Sequence, residues 1–84
     1  MKIWEFEEAV WQVEGIRVFV RAHADTTVTP YPYKRAADSG WRLSELAGNR
    51  IESCLAPHGF QFVDGGGSIP HRGSRLPTIR DSYK

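Results

Sequence analysis

At 84 residues the chain suits one small domain with a core of two packed layers, and its formal net charge of +1 removes whole-molecule attraction to nucleic acid or acidic membranes as a default. Hydrophobic residues at 40% and aromatic residues at 12% exclude a disordered tail or a linker. Cys54 is the only cysteine, so no intramolecular disulfide forms. No apolar run approaches the roughly 18 residues of a membrane helix, and the start of the chain has no basic region followed by an apolar signal core, so a soluble cytoplasmic protein with no membrane contact is expected.

Ile3, Trp4 and Phe6 open the chain. Trp4 and Phe6 stand at even positions while the next apolar positions, 9, 11 and 13, are odd. A strand in strict alternation cannot do this, which predicts a bulge or break at Glu7-Glu8. Two runs rich in Val, Ile, Trp and Phe, 9–13 and 16–21, flank Glu14-Gly15, the length of a two-residue turn. They predict an antiparallel β-hairpin across Ala9 to Ala22. In that register Ala9, Trp11, Val13, Ile16, Val18 and Val20 form one apolar face. Val10 faces Phe19 on the other, between the polar pairs Gln12 with Arg17 and Glu8 with Arg21.

From His23 to Gly40 the pattern is that of a long loop. Thr26 to Thr29 is β-branched enough for a short edge strand, and Pro30-Tyr31-Pro32-Tyr33 favours an extended path that cannot enter a sheet interior. Helix signals follow from Trp41 to Ala56, where Leu43, Leu46, Ala47, Ile51, Cys54 and Leu55 recur at spacings of three and four. They predict one helix near 44–56, with Ser44 as N-cap and Pro57 and Gly59 beyond its end. Phe60 to Val63 alternates as a third strand until Asp64 and three glycines stop it. The Gly-, Pro- and Arg-rich segment 65–84 is expected to be ordered, with Pro77 in the first turn of a short helix and Ile69, Leu76, Ile79 and Tyr83 covering Val10 and Phe19. The expected fold is a single α+β domain over residues 1–84 in the order β-β-α-β, its C-terminal tail packed on the sheet.

Charge is uneven. Residues 1–15 hold four glutamates against one lysine, and residues 65–84 hold three arginines and a lysine against one aspartate, so the two ends either pack near each other or are both solvated, the sharper alternative being a cationic binding edge.

Residues that carry chemistry are few. Gly65, Gly66 and Gly67 with His71, Arg72 and Arg75 have the ingredients of an anion cradle, because glycine lets backbone N–H groups converge and the basic side chains add charge. Their spacing matches neither a P-loop nor the dinucleotide fingerprint. Tyr31, Tyr33, Lys34 and Arg35 combine rings with cations, weak support for single-stranded nucleic acid. Cys54 and His58 are four apart, but Cys54 lies in the apolar stripe and reads as a buried thiol. Cys54, His58 and His71 contain no paired metal-ligand motif, so no metal and no cofactor are expected. His58 and His71 as acid and base of a small nuclease would require them to converge.

The reading is therefore a non-catalytic protein-interaction module, self-associating or binding another protein, with Trp4, Val10, Phe19, Tyr31 and Tyr33 as interface candidates. The alternative is an anion- or RNA-binding protein using the glycine-rich, Arg- and His-containing loop. A nuclease ranks third.

Overall fold

A computed structural model describes residues 1–84. The chain begins as a helix, α1 (Ile3–Glu14), where the sequence predicted a break and the first strand of a hairpin. Ile3, Phe6, Val10 and Glu14 are its buried positions, at steps of three, four and four. The backbone N–H of Lys2 donates to Glu5 Oε1 at 2.9 Å, closing the N-terminal turn. Gly15 ends the helix in the left-handed region at φ 68°, its N–H donating to the Trp11 carbonyl at 2.9 Å. The Glu14-Gly15 pair is thus a helix C-cap and not a hairpin turn. The change of parity at Glu7-Glu8 has the same explanation: a stripe of period 3.6 read at period 2 changes face every few residues.

Two strands form the sheet, β1 (Arg17–Val20) and β2 (Phe60–Val63), paired antiparallel with Val18 opposite Phe62 and Val20 opposite Phe60. Val18, Val20 and Phe62 are buried, while Arg17 and Phe19 face out. The strand expected at 60–63 is present, but it pairs with the residues after α1. The α+β class holds, and the predicted β-β-α-β order gives way to α-β-α-β-α.

The predicted long helix is present as unbroken helical backbone in three parts: α2 (Leu43–Leu46), a π-helical turn (Ala47–Ile51) and α3 (Glu52–Leu55). All six residues of the predicted stripe are buried. Its N-cap is Arg42 rather than Ser44, because the backbone N–H of Arg42 donates to Glu45 Oε1 at 3.1 Å. The 23–40 segment is tied down at both ends of its path. Lys2 bridges Thr27, the Ile3 N–H donates to the Thr26 carbonyl, and the Val28 N–H donates to the Met1 carbonyl, so Thr26–Thr29 contributes one isolated bridge instead of a strand. In the tail, α4 (Leu76–Asp81) carries Pro77 in its first turn and buries Leu76 and Ile79. Ile69 is exposed, and Phe19 is not covered by the tail.

What unites these segments is the carboxylate of Glu14, whose side chain is wholly inaccessible. Its Oε2 accepts the Tyr31 hydroxyl at 2.7 Å and Arg50 Nη1 at 2.8 Å; its Oε1 accepts the Ala37 N–H at 2.8 Å and Arg80 Nη2 at 3.3 Å. Arg80 Nε also donates to the Glu14 carbonyl at 2.7 Å. A buried carboxylate is tolerable only when its lone pairs are filled and its charge is opposed, and here both conditions are met. The acidic start and basic end do meet, at Glu14 and Arg80. Arg50 is itself oriented by the Arg35 carbonyl at 2.8 Å and by the Tyr33 ring, 4.2 Å from its guanidinium carbon.

Glu14→Gln is expected to cost about 3–5 kcal/mol, read from the urea midpoint, because it leaves Arg50 and Arg80 in a partly buried site without their counter-charge. Burial, reinforced by the hydrogen bond to Glu14, pushes the Tyr31 phenol far above its ordinary range, and burial raises Tyr83 as well. Both groups fold in their neutral form, so their stabilisation is complete below about pH 10 and is lost as pH rises past it. Denaturation at pH 8 to 11 checks this: stability is expected to fall at the alkaline end, less steeply in Tyr31→Phe.

Candidate interaction surface

The outer face of the sheet lies open. The Arg21 N–H donates to the Gly59 carbonyl at 2.8 Å, which sets the alternation: the amides of Arg17, Phe19 and Arg21 point toward β2, and those of Val18 and Val20 point away. The Val20 N–H is met by Glu7 Oε2 of α1 at 3.0 Å. Addition of another strand at this edge of β1 is therefore obstructed by a helix and its carboxylate.

Beside that edge, Trp4, Glu7, Glu8, Arg17, Val18 and Phe19 line a groove of about 190 Å³. Trp4 is 55% exposed and Phe19 66%, so both rings are free to contact another surface. Arg17 continues the face: its guanidinium carbon lies 4.3 Å from the centroid of the Trp11 ring, and Trp11 meets Tyr83 edge-on at 5.1 Å. The Tyr83 hydroxyl accepts the Arg17 N–H at 2.9 Å and donates to the Val63 carbonyl, inserting itself at the end of the ladder. A second hollow, of about 330 Å³, lies on this side between Trp11, Arg17, Asp64, Gly65, Gly67 and Tyr83.

Of the five predicted interface residues, Trp4 and Phe19 stand on this surface. Val10 and Tyr31 do not. Val10 is fully buried because α1 turns it into the core, and Tyr31 is buried with its hydroxyl on Glu14 and its ring edge-on to Phe6. Tyr33 is half-buried and committed to Arg50. Arg17, which the hairpin register placed in a polar pair, is the residue the sequence reading missed.

In the glycine loop the amides turn toward a carboxylate of the chain itself. Asp64 Oδ1 accepts the N–H groups of Gly66 at 2.9 Å and Ser68 at 3.0 Å, so two of the amides an anion needs are already satisfied by the chain's own carboxylate. Gly65 is required for close approach, since a Cβ there would lie 1.7 Å from the Ser82 carbonyl oxygen. Gly67 supplies the left-handed turn at φ 82°. His71, Arg72 and Arg75 lie outside this loop, each with contacts of its own. His71 Nδ1 accepts the Gly73 N–H, Arg72 lies over Phe60 and Phe62, and Arg75 Nη1 donates to the Gly40 carbonyl at 3.3 Å.

Cys54 is buried, and burial raises its thiol pKa, opposite to what a nucleophile needs. His58 lines a hollow of about 310 Å³ with Glu52, Ala56, Pro57 and Phe60, without His71. No three His, Cys, Asp or Glu side chains are grouped as a metal would require. No helix is long and apolar enough to cross a membrane. Comparison with protein-family models, curated proteins and solved structures finds no match to this chain.

Asp64→Ala is expected to speed hydrogen exchange at the Gly66 and Ser68 amides while leaving the Arg21 amide unchanged. The cost is about 1–2 kcal/mol of stability, for loss of charge-assisted hydrogen bonds at a half-exposed site.

Proposed function

We propose that this protein is a non-catalytic interaction module whose partner is a second copy of itself, joined through the outer face of β1 and the first turns of α1. The observation that carries the reading is the pair of exposed rings, Trp4 and Phe19, on either side of one groove. Aromatic and arginine side chains are the residue types that dominate interface energetics. The charges around them favour a like partner. Glu5 and Glu8 are exposed on α1 and Arg17 and Arg21 on the neighbouring strand face, so a two-fold pairing sets the acidic half of one copy against the basic half of the other. The shielded edge of β1 supports side-chain docking over shared strand pairing.

Sedimentation equilibrium over a wide concentration range is the test. A dimer with Kd below about 1 mM is expected. Phe19→Ser and Trp4→Ala are each expected to weaken it at least tenfold without lowering the urea midpoint, because both rings are exposed in the single chain. A wild-type chain that stays monomeric throughout overturns the proposal. So does a dimer indifferent to both substitutions.

A further inference from the structure

The backbone bridge that joins the start of α2 to the start of α4 brings three arginines into neighbouring positions. Arg42 and Arg75 face each other across an antiparallel bridge, flanked by hydrogen bonds from the Leu43 N–H to the Ser74 carbonyl and from the Leu76 N–H to the Trp41 carbonyl. The Ser44 N–H donates to the Arg72 carbonyl at 2.9 Å, which brings the third arginine alongside. All three side chains are exposed. No carboxylate oxygen approaches their guanidinium nitrogens within 4.0 Å. The nearby acids are committed to backbone: Glu45 to the Arg42 N–H and Asp38 to the Gly40 N–H.

Each of the three guanidinium groups is held by a contact of its own. Arg42 Nη1 donates to the Gly73 carbonyl at 2.8 Å, Arg75 Nη1 to the Gly40 carbonyl at 3.3 Å, and the guanidinium carbon of Arg72 lies 5.3 Å from the centroids of Phe60 and Phe62. Each of these contacts engages one edge or face of the group and leaves further N–H donors free. His71 joins the cluster through Gly73. Its Nδ1 accepts the Gly73 N–H at 2.9 Å, so in the neutral ring the proton sits on Nε2, on the far side from that bond. A Cβ at position 73 would lie 2.9 Å from His71 Nδ1 and 3.9 Å from Arg42 Nη1, so ring and guanidinium flank the same small residue.

We propose that Arg42, His71, Arg72 and Arg75 form a phosphate-binding surface, distinct from the Trp4 and Phe19 face and from the glycine loop. Phosphate suits these donors: its oxygens accept paired N–H groups from guanidinium, and several fixed arginines divide its charge among them. The same donor chemistry suits a terminal phosphate and a phosphodiester alike.

The test is an amide and arginine-side-chain NMR titration of the full chain with inorganic pyrophosphate, and separately with a short single-stranded RNA, each against sodium chloride of equal ionic strength. Saturating shifts at Arg42, Gly73, Ser74 and Arg75 are expected, weakened roughly tenfold by Arg42→Gln or Arg75→Gln. Saturation by RNA at lower concentration than by pyrophosphate, with a steep salt dependence, assigns the phosphate to nucleic acid; the reverse order assigns it to a small phosphorylated ligand. Shifts that chloride reproduces overturn the proposal, as does binding unchanged in both variants. A urea midpoint for each variant separates loss of the site from loss of the fold.

Discussion

A single buried charge sets the organisation of this domain. Glu14 is the last residue of α1, and its carboxylate is reached by a tyrosine and an amide from the irregular segment, an arginine from the π-helical turn and an arginine from α4. Each of those segments is short or irregular, and a chain of this size has little apolar area with which to hold them. Four donors converging on one carboxylate do what a larger core would otherwise do. Removing the carboxylate strands two cations, so the arrangement is strongly asymmetric: assembled it is nearly neutral in energy, and broken it is expensive.

This constraint explains why so much of the surface is free to do something else. Tyr31, Tyr33, Arg50 and Arg80, all chemically versatile residues, are absorbed in the clamp or stacked against it. The aromatic and cationic groups outside it fall into two sets. Trp4, Phe19 and Arg17 line a groove with acidic neighbours, a mixture that fits a protein surface; Arg42, Arg72 and Arg75 have neighbouring backbone and no carboxylate paired with their guanidinium groups, which fits an anion. The two sets belong to different elements. A self-associating module that also carries a phosphate site is consistent with both, because neither set draws on the residues of the other.

The part of the fold legible in the sequence is the part governed by local periodicity. The stripe from Leu43 to Leu55 spans enough turns to have one reading, and Phe60 to Val63 is bounded by Gly59 and Asp64. Residues 9–13 are ambiguous, since a run this short with one polar residue, Gln12, satisfies a strand and also about one and a half helical turns. The decision lay upstream, in Ile3, Phe6 and Val10 taken together with Glu14, and a glutamate at a core position is the feature a hydrophobic pattern misreads. Phe19 kept its place on the outer face despite the wrong partner, because alternation within β1 alone decides it. The clamp was invisible for another reason. Its members stand 17, 23, 36 and 66 residues from Glu14, and no local rule connects positions so far apart. The arginine cluster was half-legible: Arg72 and Arg75 were singled out, while Arg42 joins them only through the bridge between the start of α2 and the start of α4.

Hydrogen exchange at the Ala37 amide tests the central claim most directly. Ala37 lies in irregular chain, and its N–H has no partner other than the Glu14 carboxylate. If the clamp holds the domain together, this amide exchanges only on global unfolding, as slowly as the amides of Val10 and Leu46 in the core. An Ala37 amide that exchanges as fast as those of Lys34 and Arg35 in the same segment would contradict the account, since the carboxylate would then be a local contact and not the point on which the fold depends.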